Sequence, residues 1–429
     1  MKRERTIRAF EHDTLRLKRS ESDIGLTQKE LNLLEIFNEK NKNKFFSLVH
    51  KGIKFNSYVG VLKIGHLSIE ILPKADKQLS LNSSDAEKNQ WRRLLLQMLH
   101  RSGTLKLEKL PQADLAIQKY SLLNIFIETY LNEVSRLIHH GLLKQYRRSE
   151  GNIKTFKGRL LFGQQIRTNL SHKERFYCNY ETYDYSTLIN RILHSALNAI
   201  ATSFSGTEFQ SRANKLLFEF PDIATKAINI TDFDSSFWTR KNSEFKEVIQ
   251  LAKLILLNYS PNFQTGSESL MAILFDMNTL WEKFIYRELK SQETLLGYKV
   301  FYQEKKLFWE NRTIRPDLVI QKDGQNIVLD TKWKIPDAKG PSDEDLKQMY
   351  VYNQHWDCDL SLLIYPSANQ SSYSTAPFNS TRYCNISQSS VNHATGSVFV
   401  SPLNKDRSLW LNSVLKALAS SYSTTFFAN

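Results

Sequence analysis

Residues 315–334 read RPDLVIQKDGQNIVLDTKWK, and the fold turns on how this stretch is read. Leu318, Val319 and Ile320 form one apolar run, and Ile327, Val328 and Leu329 form a second. Lys322-Asp323-Gly324-Gln325 between them carries the polar and glycine composition of a turn, so the stretch is expected to be two strands of a hairpin. Asp317 opens the first strand and Asp330 closes the apolar part of the second. Side chains alternate faces along a strand, which puts Lys332 on the face of Asp330 and turns Thr331 and Trp333 the other way.

Two carboxylates and an ammonium at one end of a hairpin suit a hard divalent cation. Mg²⁺ takes oxygen ligands and keeps waters, and Mn²⁺ is a possible substitute. A lysine beside the cation can orient or deprotonate an attacking water, or stabilise charge developing on phosphorus. The spacing is Pro-Asp, then Asp-x-Lys with its aspartate thirteen positions on. It resembles the PD-(D/E)xK nuclease signature, with Pro316-Asp317 as the first half and Asp330-Thr331-Lys332 as the second. That signature is short enough to arise by chance, so its surroundings matter.

Downstream, Gly340-Pro341 precedes an acidic helix start at Asp343-Glu344-Asp345, and Gln348 and Tyr352 then fall at i and i+4 on one helical face. A Q-x-x-x-Y pair after the D-x-K strand is similar to that of RecB-like members of the nuclease superfamily. Upstream, Asn278 or Thr279 can cap a helix whose stripe is Trp281, Phe284, Ile285 and Leu289, with Glu282 beside it. The resemblance implies that Glu282 joins Asp317 and Asp330 as a metal ligand, with Lys332, Gln348 and Tyr352 completing the site. Read from the residues alone, Asp317 could be a turn acid, Glu282 a solvated helix acid, and Gln348 with Tyr352 an ordinary amphipathic pair. A strand over Ser361 to Tyr365 would complete an α/β core.

The chain has 429 residues, 41% of them hydrophobic and 24% charged, which allows two or three domains with real cores. A net charge of +14 and a pI near 9.4 favour a polyanionic partner. Cys178, Cys358 and Cys384 are too far apart for a CxxC zinc or redox motif, so no structural zinc is expected and a reducing compartment is. No apolar run approaches the roughly twenty residues of a membrane span, and the first residues lack a signal-peptide core. A cytoplasmic protein without a membrane partner is therefore expected.

Three regions are expected: a β-rich N-terminal domain over 1–80, a basic region over 81–265 that is mainly helical or of mixed helix and strand, and an α/β domain over 266–429, an α+β multidomain chain in all. In the first, strands over Thr6–Phe10, Thr14–Leu17, Phe45–Val49, Ile53–Leu62 and Leu67–Leu72 enclose a helix carrying Leu31, Leu34 and Phe37, which suggests a small barrel or sandwich. Gly60 to Leu67 has the glycine spacing of a P-loop, but His66 and Leu67 stand where its lysine and hydroxyl belong. The chain should not hydrolyse nucleotide itself. In the second region a helix over Trp91 to Leu99 should expose Arg92 and Arg93, and a short strand over Leu105–Leu107 should follow. Tyr146, Arg147, Arg148, Lys154, Lys157, Arg159 and Arg167 gather basic and aromatic side chains for phosphates or for an acidic protein partner. Residues 260–267 look like a linker, and the tail suggests a strand at Phe399-Val400 and a helix over Leu409–Leu418.

The stretch YVGVLKIGHLSIEILPK, residues 58–74, resembles the N-terminal motif of the McrC family, the nuclease subunit of the McrBC modification-dependent restriction system. The similarity continues through the basic loop at 141–169 with Lys157-Gly158-Arg159, and through Asn190-Arg191 in the helix that follows. It runs from about residue 45 to 365. The resemblance implies a Mg²⁺-dependent DNA endonuclease with a restriction-endonuclease-like C-terminal domain. It also implies double-stranded, methylated DNA as target and an AAA+ partner resembling McrB, through which alone GTP would act. The N-terminal region would dock on that partner and, with the middle region, would be separable from the nuclease. The alternatives are a stand-alone RecB-like repair nuclease and a non-catalytic adaptor that stimulates a partner NTPase.

Overall fold

The computed structural model describes residues 5–20, 23–75, 79–104, 121–223, 228, 230–233, 238–257, 259–260, 270–322, 324–336, 340–358, 360–367, 372–378 and 394–400. Alternating apolar residues bury one side of Arg5–Phe10 (β1), and Thr14–Arg16 (β2) follows. Helix Gln28–Lys40 (α1) starts at a capping box between Thr27 and Glu30 and buries Leu31, Leu34 and Phe37. Next come Phe46–Val49 (β3), Gly52–Phe55 (β4), Tyr58–Ile64 (β5), Leu67–Leu72 (β6) and helix Asp85–Arg101 (α2). The single strand expected over Ile53–Leu62 is two, because Asn56 turns its side chain onto the Lys44 carbonyl and breaks the run. β2, β4 and β3 form an antiparallel sheet, while β1 runs parallel to β6 and β6 neighbours β5.

Arg92 is not exposed as its place in α2 suggested. It is fully buried, with its guanidinium 3.5 Å from Glu70, which also pairs with Arg8 at 3.2 Å. Glycines of the P-loop-like stretch shape the backbone instead of cradling phosphate: Gly60 lies inside β5 at φ 135°, and Gly65 turns between β5 and β6 at φ 52°.

Residues 122–273 with 63–65 form a second compact unit. Its helices are Leu122–His140 (α3), Phe162–Asn169 (α4), Leu188–Ser203 (α5), Glu208–Glu219 (α6) and Lys246–Leu257 (α7). Strands Gln145–Ile153 (β7), Arg159–Leu160 (β8) and Phe176–Asp184 (β9) make an antiparallel sheet in the order β7-β9-β8. The region is thus mixed, within the helical or mixed reading expected of it. Leu193, Leu197 and Ile200 of α5 are buried, as are Phe126, Leu131 and Val134 of α3, and Tyr130 Oη donates to the Leu193 carbonyl at 2.7 Å. The Lys157-Gly158-Arg159 turn needs its glycine: φ is 71°, and a Cβ there would lie 2.4 Å from the Asn179 carbonyl oxygen.

Tyr259–Ser260 (β10) pairs with the start of Leu270–Asp276 (β11), after which Met277–Leu296 (α8) begins. The cap of α8 is Asp276, earlier than the expected Asn278 or Thr279, with its carboxylate accepting from the Thr279 amide at 3.0 Å. Then follow Lys299–Tyr302 (β12), Lys306–Trp309 (β13), Arg312–Ile314 (β14), Leu318–Lys322 (β15), Gln325–Thr331 (β16), Asp343–Trp356 (α9), Leu360–Pro366 (β17), Ser372–Pro377 (β18) and Ala394–Val400 (β19). The sheet order is β12-β15-β16-β17-β19-β18, antiparallel at β15/β16 and parallel at β16/β17 and β17/β19. Val319, Val328, Leu363 and Tyr365 of the sheet pack with Met349, Tyr352 and Trp356 of α9 in one core.

Instead of three consecutive domains, residues 1–62 and 66–121 belong with 274–429 to one compact unit, from which 122–273 is set apart. The physical tie is visible at the end of β1. Glu11 is fully buried and accepts from the Trp333 indole N–H and, at 2.7 Å, from the Lys74 amide. The strand expected at Leu105–Leu107, most of the linker at 260–267 and the helix at Leu409–Leu418 lie outside the described residues. Among the described residues no helix is long and apolar enough to cross a membrane.

Candidate active site

The hairpin of β15 and β16 brings Asp317, Asp330 and Lys332 together. Leu318 faces Leu329 in the register, so Asp317, just before β15, reaches across to the end of β16. There its Oδ2 accepts two hydrogen bonds from Thr331, one from the backbone amide and one from the hydroxyl, both 2.7 Å. Thr331 was expected to point away; its side chain instead holds the neighbouring aspartate. Lys332 Nζ lies 2.7 Å from Asp330 Oδ2 and donates to Gln348 Oε1 at 2.9 Å. The lysine amide donates to the Ile364 carbonyl of β17, also at 2.9 Å, which continues the sheet one residue past β16.

Gln348 and Tyr352, one turn apart on α9, both reach this cluster. Gln348 Nε2 contacts Asp330 Oδ1 at 3.4 Å and the Tyr352 hydroxyl at 2.9 Å, and Tyr352 donates to the Arg315 carbonyl at 2.9 Å. Glu282 of α8 accepts from Gln303 Nε2 at 2.6 Å and is hydrogen-bonded to Tyr302. Burial raises the Glu282 pKa, and the negative charge of Asp317 raises it further. All six residues singled out from the sequence therefore lie at, or feel, one end of the hairpin.

Asp345 was read only as part of an acidic helix start. It is buried, stands 3.6 Å from Lys332 Nζ, and is paired more closely with Lys334. Lys334 and Ser342 hold it below the usual carboxylate range against the upward push of burial. Tyr302, Gln303 and Thr331 were missed as well. Each is an ordinary strand or turn residue whose role depends on which acid the tertiary fold sets beside it.

Asp330 is 3% exposed. Burial raises its pKa strongly, Asp317 adds to the rise, and Lys332 only partly opposes it. Burial pushes Lys332 down, but Asp330, Asp345 and Asp317 together carry it above the ordinary lysine value. The Lys332 ammonium, 2.7 Å away, is the partner of this buried carboxylate's Oδ2. Among the described residues no three His, Cys, Asp or Glu side chains form a ready metal cage. Mg²⁺ does not need one, since it commonly takes one or two carboxylates and fills its remaining positions with water and substrate phosphate. The carboxylates of Asp330 and Asp317, with Glu282 close enough to feel Asp317, supply the oxygen donor set that such an ion takes.

Fold and site together define a mixed α/β chain with a buried acid–lysine cluster where an antiparallel hairpin meets parallel strands. The family described as McrBC 5-methylcytosine restriction system component matches residues 53–366, and the chain belongs to it. It is 24% identical over 240 residues to the type IV methyl-directed restriction enzyme EcoKMcrBC of Escherichia coli K12, covering 53% of this chain and 69% of that protein. A solved structure described as the refined half-complex from a tetradecameric assembly of Thermococcus gammatolerans McrB AAA+ hexamers with bound McrC is similar in fold. Its TM-score is 0.67 at 19% identity, covering 96% of this chain and 100% of that one.

Proposed function

We propose that this chain is the nuclease subunit of a modification-dependent restriction complex, cleaving phosphodiester bonds of double-stranded, methylated DNA with Mg²⁺. It would work with a GTP-hydrolysing AAA+ partner resembling McrB. The observation that carries the nuclease reading is the convergence of Asp317, Asp330, Lys332 and Gln348 at one sheet end. Buried charges are costly, and here the buried Asp330 carboxyl is kept beside the like charge of Asp317. The partner reading rests on family membership and on the fold likeness to a chain solved in a complex of McrB hexamers with bound McrC.

Asp330 and Asp317, with Glu282 beside them, would hold the metal. When bound, the ion supplies Lewis acidity at the scissile phosphate and a water of lowered pKa. Lys332, kept protonated by its acidic neighbours, donates to a phosphate oxygen as negative charge grows there. Gln348 fixes the ammonium from the other side, and Tyr352 fixes Gln348. Held protonated, Lys332 serves as a charge stabiliser in preference to a general base.

The test uses the full chain with its AAA+ partner, GTP and Mg²⁺ on methylated plasmid. Asp330→Asn should lower cutting by about 10³-fold or more, which corresponds to several kcal/mol of barrier, while the partner's GTP turnover stays at the parental value. Cutting at the parental rate by Asp330→Asn would remove the site assignment. Absence of cutting by the parental chain, with GTP turnover still stimulated, would make the adaptor the better description.

A further inference from the structure

Between Gln303 and Asp317 the chain leaves the sheet as a short hairpin, β13 and β14, that does not join the six-stranded sheet. Its two ends are tied at the acid cluster: the Gln303 amide donates to the Asp317 carbonyl at 2.9 Å, and the Gln303 side chain holds Glu282. One side of the hairpin is anchored. Lys306 Nζ donates to the His355 carbonyl at 3.0 Å and lies over the Trp356 ring, Phe308 meets His355 edge-on at 5.4 Å, and Ile314 packs on the α9 core. What remains is presented outward. Leu307 is 70% exposed and Trp309 65%, and each has a polar or basic residue opposite it, Thr313 and Arg312.

Exposed aromatic and leucine side chains on a rigid, anchored hairpin call for a partner. The charge around them selects its kind. Residues 305–315 carry Lys305, Lys306, Arg312 and Arg315 against the single acid Glu310, beside a site read here as acting on phosphodiesters. The charge of Arg315, which is exposed, is felt by Glu282 and Tyr352. Trp309 pairs with Arg312 across the hairpin, and Arg315 lies three residues further, at most about 10 Å at strand spacing, well within one turn of B-DNA, about 34 Å.

We propose that this hairpin, with Arg315 at its base, is the surface with which the site grips duplex DNA next to the bond it cuts. Arg312 and Arg315 neutralise backbone phosphates flanking the scissile one. Trp309 and Leu307 press their apolar faces against sugar edges or a base step, as wedges do in minor-groove binding. The inference rests on the nuclease reading, but its signal is binding and not cleavage, so the two can fail separately.

Binding is measured as fluorescence anisotropy of a labelled methylated duplex with full-length Asp330→Asn protein, in the absence of Mg²⁺ so that the duplex stays intact. Adding Trp309→Ala with Arg312→Gln should weaken binding at least about tenfold, in line with the 1–3 kcal/mol of one stacked or wedged aromatic. Arg312→Gln with Arg315→Gln should reduce the magnitude of the slope of log K against log salt by about two, roughly one for each phosphate no longer neutralised. Phe218→Ala, at a fully solvated phenylalanine of the other unit, is the control and should change neither. In the cutting-competent chain with its partner, Trp309→Ala should raise KM for DNA more than it lowers kcat. Unchanged affinity and salt slope in both hairpin variants would overturn the proposal. So would unchanged DNA binding with loss of self-association in sedimentation, which would make the hairpin a contact between copies of this chain. Intact hairpin-dependent binding by a chain that never cuts would sink the nuclease reading and leave the DNA grip standing.

Discussion

The end of the β15–β16 hairpin and the β7-β9-β8 sheet are both rich in charge, yet the two regions carry it under opposite physical conditions. At the hairpin, Asp330 and Asp345 are buried and Lys332 half-buried, and they share one another's partners. On the β7 sheet, Arg147 pairs with Asp184 at 2.9 Å and Arg148 with Glu181 at 3.2 Å across the strands, with both arginines exposed. Exposed pairs contribute little to stability and are screened by salt, whereas buried like charges raise the energy of the fold unless something relieves them. Charge at the surface is therefore weak evidence of chemistry, and charge forced together in the interior is strong evidence.

The sharpest way to break that contrast is to neutralise the interior cluster. Asp317→Ala, like Asp330→Asn, should abolish cutting by about 10³-fold or more while the fold persists, measured as plasmid cleavage against thermal unfolding. A large loss of melting temperature would show that the acids serve the fold instead. Gln348→Ala comes next. It removes an uncharged support from Lys332, so cutting should fall by a smaller factor, about tenfold, with metal affinity by calorimetry little changed.

Glu11 sharpens the comparison from a third place. Burial raises its pKa to about 8, with the Lys74 amide and Trp333 only partly opposing the rise. Its ordinary value is 4.5, so the unfolded chain ionises it well below the pH at which the native chain does. Its contribution is complete below that ordinary value, is lost as pH rises towards about 8, and changes no further above it. Denaturant unfolding across that window should show parental stability falling relative to Glu11→Gln, which keeps the acceptor for Trp333 without the proton. Parallel curves for the two proteins would mean that Glu11 is ionised and paired in the native state. The smallest effect belongs to the exposed sheet: Arg147→Ala with Arg148→Ala should cost no more than about 1 kcal/mol of stability.

Much of the site was legible because its residues sit on regular elements. Strand alternation fixed Asp330 and Lys332 on one face, and helical spacing fixed Gln348 and Tyr352, so local periodicity was enough. Thr331 was misplaced because alternation says which face a side chain leaves from, not that Asp317 will reach round to it. Arg92 was read as exposed since nothing local announces that Glu70 and Arg8, 22 and 84 residues away, close over it. Domain boundaries failed for the same reason. The 1–80 and 266–429 segments looked separate in sequence, and only long-range pairs such as Glu11 with Trp333 show them to be parts of one unit.

That last pair has a consequence for how the chain is made. Glu11 leaves the ribosome early and meets its tryptophan 322 residues later. Domains fold as units during synthesis, N-terminal first where they can, but here the unit begun first cannot be closed until the chain has passed residue 333. The inserted unit over 122–273 is complete long before then and should acquire protection from protease on stalled ribosomes while the first hundred residues remain open. Contacts of such long sequence separation also fold slowly. Until this contact forms, the Glu11 carboxyl at the end of β1 lacks its indole partner, and its docking against Trp333, just past β16, marks the step at which the acid cluster first acquires its support.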